Sequence, residues 1–371
     1  MIIFLLIFLS LYGGINFYFY FKAKNIFYFS GKTEIIAIII ITFLLFAPIL
    51  IRLAEKFNLE TMARSIAYCG YLWMAFVFLF FFVNVSMDLT RYILQFFFKS
   101  FGNTQMRSIF FGLSILLSLS FVSYGYFDAQ SIRINKLEIY SSKLSPDFEK
   151  IRIVQLSDVH IGLIIRDKRL KSILEHVKDS KPDILVSTGD LLDGELDDVS
   201  FEAGQFAEIK PKYGKYAVTG NHEYYAGIEK SLEFTQKAGF EILRNESKKV
   251  AGINIIGIED LTGRKRGLTE QSPGSFKLFP KEKINEFILL LKHQPIVQED
   301  VNFDLQLSGH THRGQIFPFI LFVQIFFPMN SGYHELSNNK FLYISNGAGT
   351  WGPPVRFLAP PEITVIDLIK K

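Results

Sequence analysis

Residues 151–160 read "IRIVQLSDVH". The stretch from Ile151 to Ser157 is an apolar, β-branched run of strand length, with Ile151, Ile153, Val154 and Leu156 setting its character. It stops on Asp158 and His160, two metal-binding residue types set one residue apart. Open α/β sheets gather their ligands at the carboxyl ends of their strands, so a buried strand ending in such side chains suits that architecture. Further strands with the same kind of ending should follow.

Downstream, "DILVST", "KYAVT", "INIIGI", "FILLLK" and "FDLQLS" read as strands. Before them, "RDKRLKSILEHVKDS" places Leu170, Ile173, Leu174 and Val177 on one helical face. The alternation predicts an α/β domain over 150–371, large enough for a core of its own. Its strand ends carry polar stations: Asp158 and His160; Asp190 and Asp193 in "STGDLLDG"; Asn221, His222 and Glu223 in "VTGNHEYY"; His293 in "LLKHQP"; His310 and His312 in "LSGHTH". Five of the seven histidines fall in these stations, leaving His176 and His334 outside, which scattered surface histidines would not do.

His310 and His312 would diverge on a helix, but on an extended segment entering a tight turn they lie on one side and converge. Carboxylates, imidazoles and one amide, with no thiolate, suit Mn, Fe or Zn in a centre other than a cysteine zinc site. Asp190 is the natural bridge, because a carboxylate can hold two cations about 3.5–4 Å apart. Taken singly, Asp158 also reads as a cap, Asp190 and Asp193 as a turn, Asn221 as a turn residue and His293 as a core histidine. His334 and Arg356 read as solvated loop residues, with the substrate side as the alternative.

The first third differs in kind. Apolar runs at roughly 1–21, 34–53, 67–87 and 108–127 are each long enough to cross a bilayer, which predicts a four-helix membrane region over 1–127. The first run has no basic start and no small-residue exit, so it reads as an anchor rather than a cleaved signal peptide. Lys and Arg in the flanking loops divide equally between the two sides, so they do not set the orientation. The polar stretch 128–149, with "SSKLSPDFEK", reads as a linker. A net charge of +4 gives no field that calls for a nucleic-acid partner. The single cysteine, Cys69, cannot close an intrachain disulfide. Directly after the last histidine pair, "IFPFILFVQIFFP" at 316–328 reads as a buried element of the domain core, with a surface dipping into the bilayer interface as the alternative. It is too short to span.

The order D-x-H, G-D-x-x-D, G-N-H-E, H, G-H-x-H resembles the calcineurin-like metallophosphoesterase superfamily. The stretches "GHTHRGQIFP" and "SNGAGTWGPPVRFLAPPEITVI" are similar to its bacterial membrane-associated phosphodiesterase branch, so that the resemblance covers roughly 150–368. It implies an α/β domain of the α+β sandwich kind, with mixed sheets flanked by helices. It further implies that Asp158, His160 and His312 hold one divalent ion, that Asn221, His293 and His310 complete a second, and that Asp190 bridges them. His222 matches the family histidine near the scissile phosphate, the catalytic residue of the set. Asp193 and Glu223 match residues that orient the ligand imidazoles or the Asn amide. Arg313 departs from the branch, which has a small residue there, and could meet a substrate phosphate or a surface acid.

The expected function is that of a multi-pass, membrane-anchored phosphohydrolase in a bacterial inner membrane. It would cleave phosphodiester or pyrophosphate bonds, lipid-linked ones among them, with a metal-bridging hydroxide. The alternative is a membrane sensor or scaffold whose domain binds metal without turnover. A transporter is disfavoured, because the crossings hold few ionisable residues away from their ends.

Overall fold

A computed structural model describes residues 2–194, 200–268 and 285–371. The chain forms two compact units, Met1–Phe127 with Gly352–Phe357, and Asp128–Trp351 with Leu358–Lys371.

The first unit is helical: α1 Ile2–Phe27, α2 Lys32–Lys56, α3 Glu60–Phe97 and α4 Thr104–Asp128. Helices α2, α3 and α4 are long and apolar enough to cross a membrane. Aromatic rings join α1 to α3, where Phe19 meets Trp73 and Phe80 edge-on at 5.2 and 5.0 Å. Polar side chains bond across the helices: Tyr18 OH donates to Asn84 Oδ1 at 2.7 Å, and Asn84 Nδ2 to Ser114 Oγ at 3.0 Å. Phe357 stacks on Phe121 at 4.7 Å, and its neighbour Arg356 is fully buried, in contrast to the solvated loop position that its sequence suggests.

The second unit continues with β1 Arg133–Ser141, β2 Lys150–Leu156, α5 Asp167–Asp179, β3 Ile184–Ser187, α6 Ser200–Ala207, β4 Lys215–Ala217, α7 Asn221–Ala226, α8 Ile228–Lys237, β5 Glu241–Ile242, β6 Glu246–Val250 and β7 Ile253–Ile258. It closes with α9 Leu261–Lys265, β8 Phe287–Lys292, β9 Leu305–Ser308, α10 Ile320–Phe326, β10 Gly332–Glu335, β11 Phe341–Ile344 and β12 Glu362–Lys370. The strands make two six-stranded sheets, ordered β1-β12-β2-β3-β4-β5 and β10-β11-β9-β8-β7-β6. Strands β2, β3 and β4 run parallel, as do β7, β8 and β9. Their carboxyl ends therefore open on one edge of each sheet.

Alternation decides how the sheets pack. Ile151, Ile153, Ile184 and Val186 of one sheet and Ile253, Ile255, Leu289, Leu291, Leu305 and Leu307 of the other share a single buried cluster. The opposite face of the first sheet, with Val154, Leu156 and Leu185, packs on Leu170, Ile173, Leu174 and Val177 of α5, the face expected from periodicity. The predicted strands all appear, now arranged as a sandwich of mixed sheets.

Two expectations need correction. Residues 128–149 are not merely a linker: they contain β1, which lies parallel to β12 from Arg133 opposite Glu362 to Ser141 opposite Lys370. As an edge strand with one partner, β1 exposes most of its side chains, so its sequence looks polar. Most of the segment 316–328 after the histidine turn is not core, although Ile316 and Pro318 are buried. Helix α10 has no buried residue, and Phe317 and Phe319 before it are exposed as well.

Candidate metal centre

All the predicted stations meet where parallel strands end. Asp158 follows β2, Asp190 follows β3, Asn221 and His222 open α7 just after β4, His293 follows β8 and His310 follows β9. Reaching inward from these ends requires unusual backbone. Asp158, His160, Asp190, His310 and His312 all have positive φ, between 48° and 74°, a conformation that costs non-glycine residues energy and that clusters at functional sites. Glycines allow the close approach: a Cβ on Gly309 would lie 2.0 Å from Ser157 Oγ, and one on Gly220 would lie 2.2 Å from Asp190 Oδ1.

Three groups of donor atoms form among the described residues; one joins His160, Asp193 and His222, and the other two centre on Asp158 and on Asp190. In one, Asp158, His160 and His312 converge, with the Nε2 atoms of the two histidines 2.9 Å apart and His312 Nε2 3.4 Å from Asp158 Oδ1. In the other, Asp190, His293 and His310 converge. Asp190 faces both groups, its Oδ2 lying 3.2 Å from His293 Nε2 and 3.8 Å from His160 Nε2. Its Oδ1 accepts the His222 amide at 2.8 Å.

His293 shows what the second group requires. Its Nδ1 lies 2.8 Å from the Thr188 carbonyl, an acceptor, so in the neutral ring the proton belongs there and Nε2 carries the lone pair. That lone pair faces Asn221 Oδ1 at 3.1 Å, Asp190 Oδ2 at 3.2 Å and His310 Nδ1 at 3.2 Å. One proton cannot satisfy so many acceptors, whereas a cation can. Electrostatics says the same. Burial disfavours charge on His293, yet Asp190 and Asp158 hold it well above the ordinary imidazole value, so the buried carboxylates demand positive charge at this spot. His310 moves down to about 4, because it is buried beside His293. Carboxylates, imidazoles and an amide oxygen in this arrangement fit divalent ions.

Asp193 and Glu223 support the groups from behind. Asp193 Oδ1 lies 3.4 Å from His160 Nδ1 and 3.1 Å from His222 Nδ1, and the Asp193 backbone carbonyl lies 3.3 Å from His222 Nδ1. Burial would raise the Asp193 carboxyl, but those histidine contacts hold it well below its usual range. Glu223 does something that its sequence position does not suggest. It accepts the backbone amides of Asp190, Leu191 and Gly220 at 3.0, 2.7 and 2.7 Å, tying the β3 and β4 loops together. Three buried amides would lose their acceptor in Glu223→Ala, so that variant should lose about 3 kcal/mol or more. The unfolding midpoint of the full chain in detergent should then drop by roughly 10 °C, with Glu223→Gln in between. An unchanged midpoint in Glu223→Ala would show that the carboxylate does not hold these loops.

His222 is buried beside the Asp158 group, its ring 4.6 Å from that of His160. With Nδ1 held by Asp193, Nε2 is the nitrogen available to a substrate. Burial lowers this imidazole, but Asp190 and the Asp193 hydrogen bond outweigh it and raise it to about 9. Two half-exposed rings flank it, Tyr225 at 5.3 Å and Trp351 at 6.1 Å. Sequence reasoning missed both. Tyr225 was adjacent to a motif, but Trp351 is brought in from far along the chain. Arg313 is exposed on the same turn as His312, and His334, on β10, lies 3.0 Å from the Ser331 carbonyl.

A two-sheet sandwich whose strand ends gather buried carboxylates and imidazoles is the frame of a candidate metal-binding site. The family described as calcineurin-like phosphoesterase matches residues 151–314. An uncharacterized metallophosphoesterase of Aquifex aeolicus is 36% identical over 251 residues, covering 66% of this chain and 95% of that protein. One from Campylobacter jejuni is 31% identical over 377 residues, covering 99% of this chain and 98% of its own length. A transmembrane protein with metallophosphoesterase domain from Danio rerio is 32% identical over 270 residues, which take in 69% of this chain and 62% of the fish protein. The chain belongs to the calcineurin-like metallophosphoesterases, a family of metal-dependent phosphoester hydrolases.

Proposed function

We propose that this protein is a membrane-anchored phosphohydrolase that uses two divalent ions, drawn from Mn, Fe and Zn, to cleave phosphodiester or pyrophosphate bonds. The observation that carries this is the position of His293 Nε2, which faces Asn221 Oδ1, Asp190 Oδ2 and His310 Nδ1 while Nδ1 is committed to the Thr188 carbonyl. Asp158, His160 and His312 would hold one ion, Asn221, His293 and His310 the other, and Asp190, facing both groups, would be shared. When bound, such ions neutralise the phosphoryl oxygens and supply a hydroxide nucleophile at neutral pH.

The chain's own residues do the rest. His222, its Nδ1 side held by Asp193, would deliver a proton from Nε2 to the leaving oxygen. Asp193 keeps that ring and the His160 ring in register. Arg313 is exposed beside His312, where its charge is available to an anionic substrate. We place the membrane region at 1–127, with α1 as a fourth crossing, and start the catalytic domain at 128 so that β1 is included. A bacterial inner membrane and a lipid-linked phosphoester accord with the bacterial relatives and the apolar helices.

Metal removal tests the function. The full chain in detergent should hydrolyse bis-p-nitrophenyl phosphate, lose that activity on chelation, and regain it with added Mn²⁺. Metal bound without turnover would instead mark a sensor or scaffold.

A further inference from the structure

Helix α10 is apolar all round and faces outward. Apart from Gln324 it is built from Ile, Leu, Phe and Val, yet Leu321, Phe322, Ile325 and Phe326 are 55%, 47%, 72% and 77% exposed. Phe317 and Phe319 extend the patch. Contiguous apolar surface of this kind marks an interaction site.

Two facts indicate what covers it. Helices α2, α3 and α4 are long and apolar enough to cross a membrane. Only residues 129–132 separate the end of α4 at Asp128 from the start of β1 at Arg133, a link that reaches at most about 18 Å. The catalytic unit is therefore tethered close to whatever bilayer α4 enters. A helix of seven residues is too short to span but suits the lipid–water interface, where an apolar element lies among the head groups.

The patch is also built onto the candidate centre. Phe327 meets the His310 ring edge-on at 5.2 Å, and Thr311 Oγ1 donates to the Asn330 carbonyl at 2.6 Å, so the histidine turn and α10 share a frame. We infer that residues 317–327 insert into the bilayer interface and present the centre to phosphoesters carried by amphiphiles in that same bilayer. This rests on the phosphoesterase reading above and extends it to the substrate's physical state.

The test compares two substrates with one leaving group, using the full chain in phosphatidylcholine vesicles. Bis-p-nitrophenyl phosphate is soluble, whereas hexadecyl p-nitrophenyl phosphate resides in the vesicle. The double variant Phe322→Glu, Phe326→Glu changes only exposed side chains. It should keep the soluble rate within about twofold and lose about tenfold on the hexadecyl ester. Equal rates for variant and parent on the hexadecyl ester, or equal losses on both substrates, would overturn the inference.

If the parent hydrolyses neither substrate, the phosphoesterase reading fails and a second measurement decides docking by itself. A Cys69→Ser, Phe326→Cys chain labelled with an environment-sensitive nitrobenzoxadiazole should show blue-shifted emission quenched by doxyl lipids. Water-like emission would overturn docking. So would a blue shift without lipid quenching but with cross-linked dimers, which would assign the patch to a second copy.

Discussion

Asp190→Ala should lower kcat/KM for bis-p-nitrophenyl phosphate by at least about 10³-fold. The side chain is 2% exposed, and its Oδ2 faces His293 and His160 while its Oδ1 holds the His222 amide. Truncation thus removes the negative charge that faces the two groups and frees the His222 backbone amide. Asp190→Asn separates charge from shape. It keeps an oxygen for the His222 amide but loses the anion, and it should be nearly as inactive with an unchanged unfolding midpoint. If either variant keeps the parental rate, the bridging role is wrong.

His222→Ala should cost about 10²–10⁴ in kcat, and the leaving group should set where in that range it falls. p-Nitrophenolate departs readily without a proton, so an aryl ester should sit near the low end. An alkoxide needs the proton that Nε2 would give in the proposed mechanism, so an alkyl diester should approach the high end. Metal content should stay at the parental level, because the Nδ1 contact of His222 is to Asp193. Equal losses on aryl and alkyl leaving groups would show that His222 stabilises charge rather than donating a proton.

Much of the domain was legible because its chemistry is local. Strands β2, β3, β4, β7, β8 and β9 are short apolar runs, and most end on a ligand-type residue within a few positions. The edge strand β1 was not legible. Its pairing with β12 joins Arg133 to Glu362, and no local pattern reports a partner so far along the chain. Composition misled at α10, since apolar residues imply burial only if another surface is there to receive them. At the centre, residue types and order revealed the candidate ligands, but not the left-handed backbone that turns Asp158, Asp190 and His310 inward. Nor could they show that Glu223 binds three backbone amides, or that Trp351 and Tyr225 stand beside His222, because those contacts exist only once the strand ends are assembled.

Counting ions is the most direct check on a centre shared by two metals. The full chain, purified in detergent, loaded with Mn²⁺ and freed of loose metal, should hold about two ions per polypeptide by elemental analysis, and Asp190→Ala should hold fewer. A chain that hydrolyses phosphodiesters at its full rate with one ion per polypeptide, or with none, would contradict it.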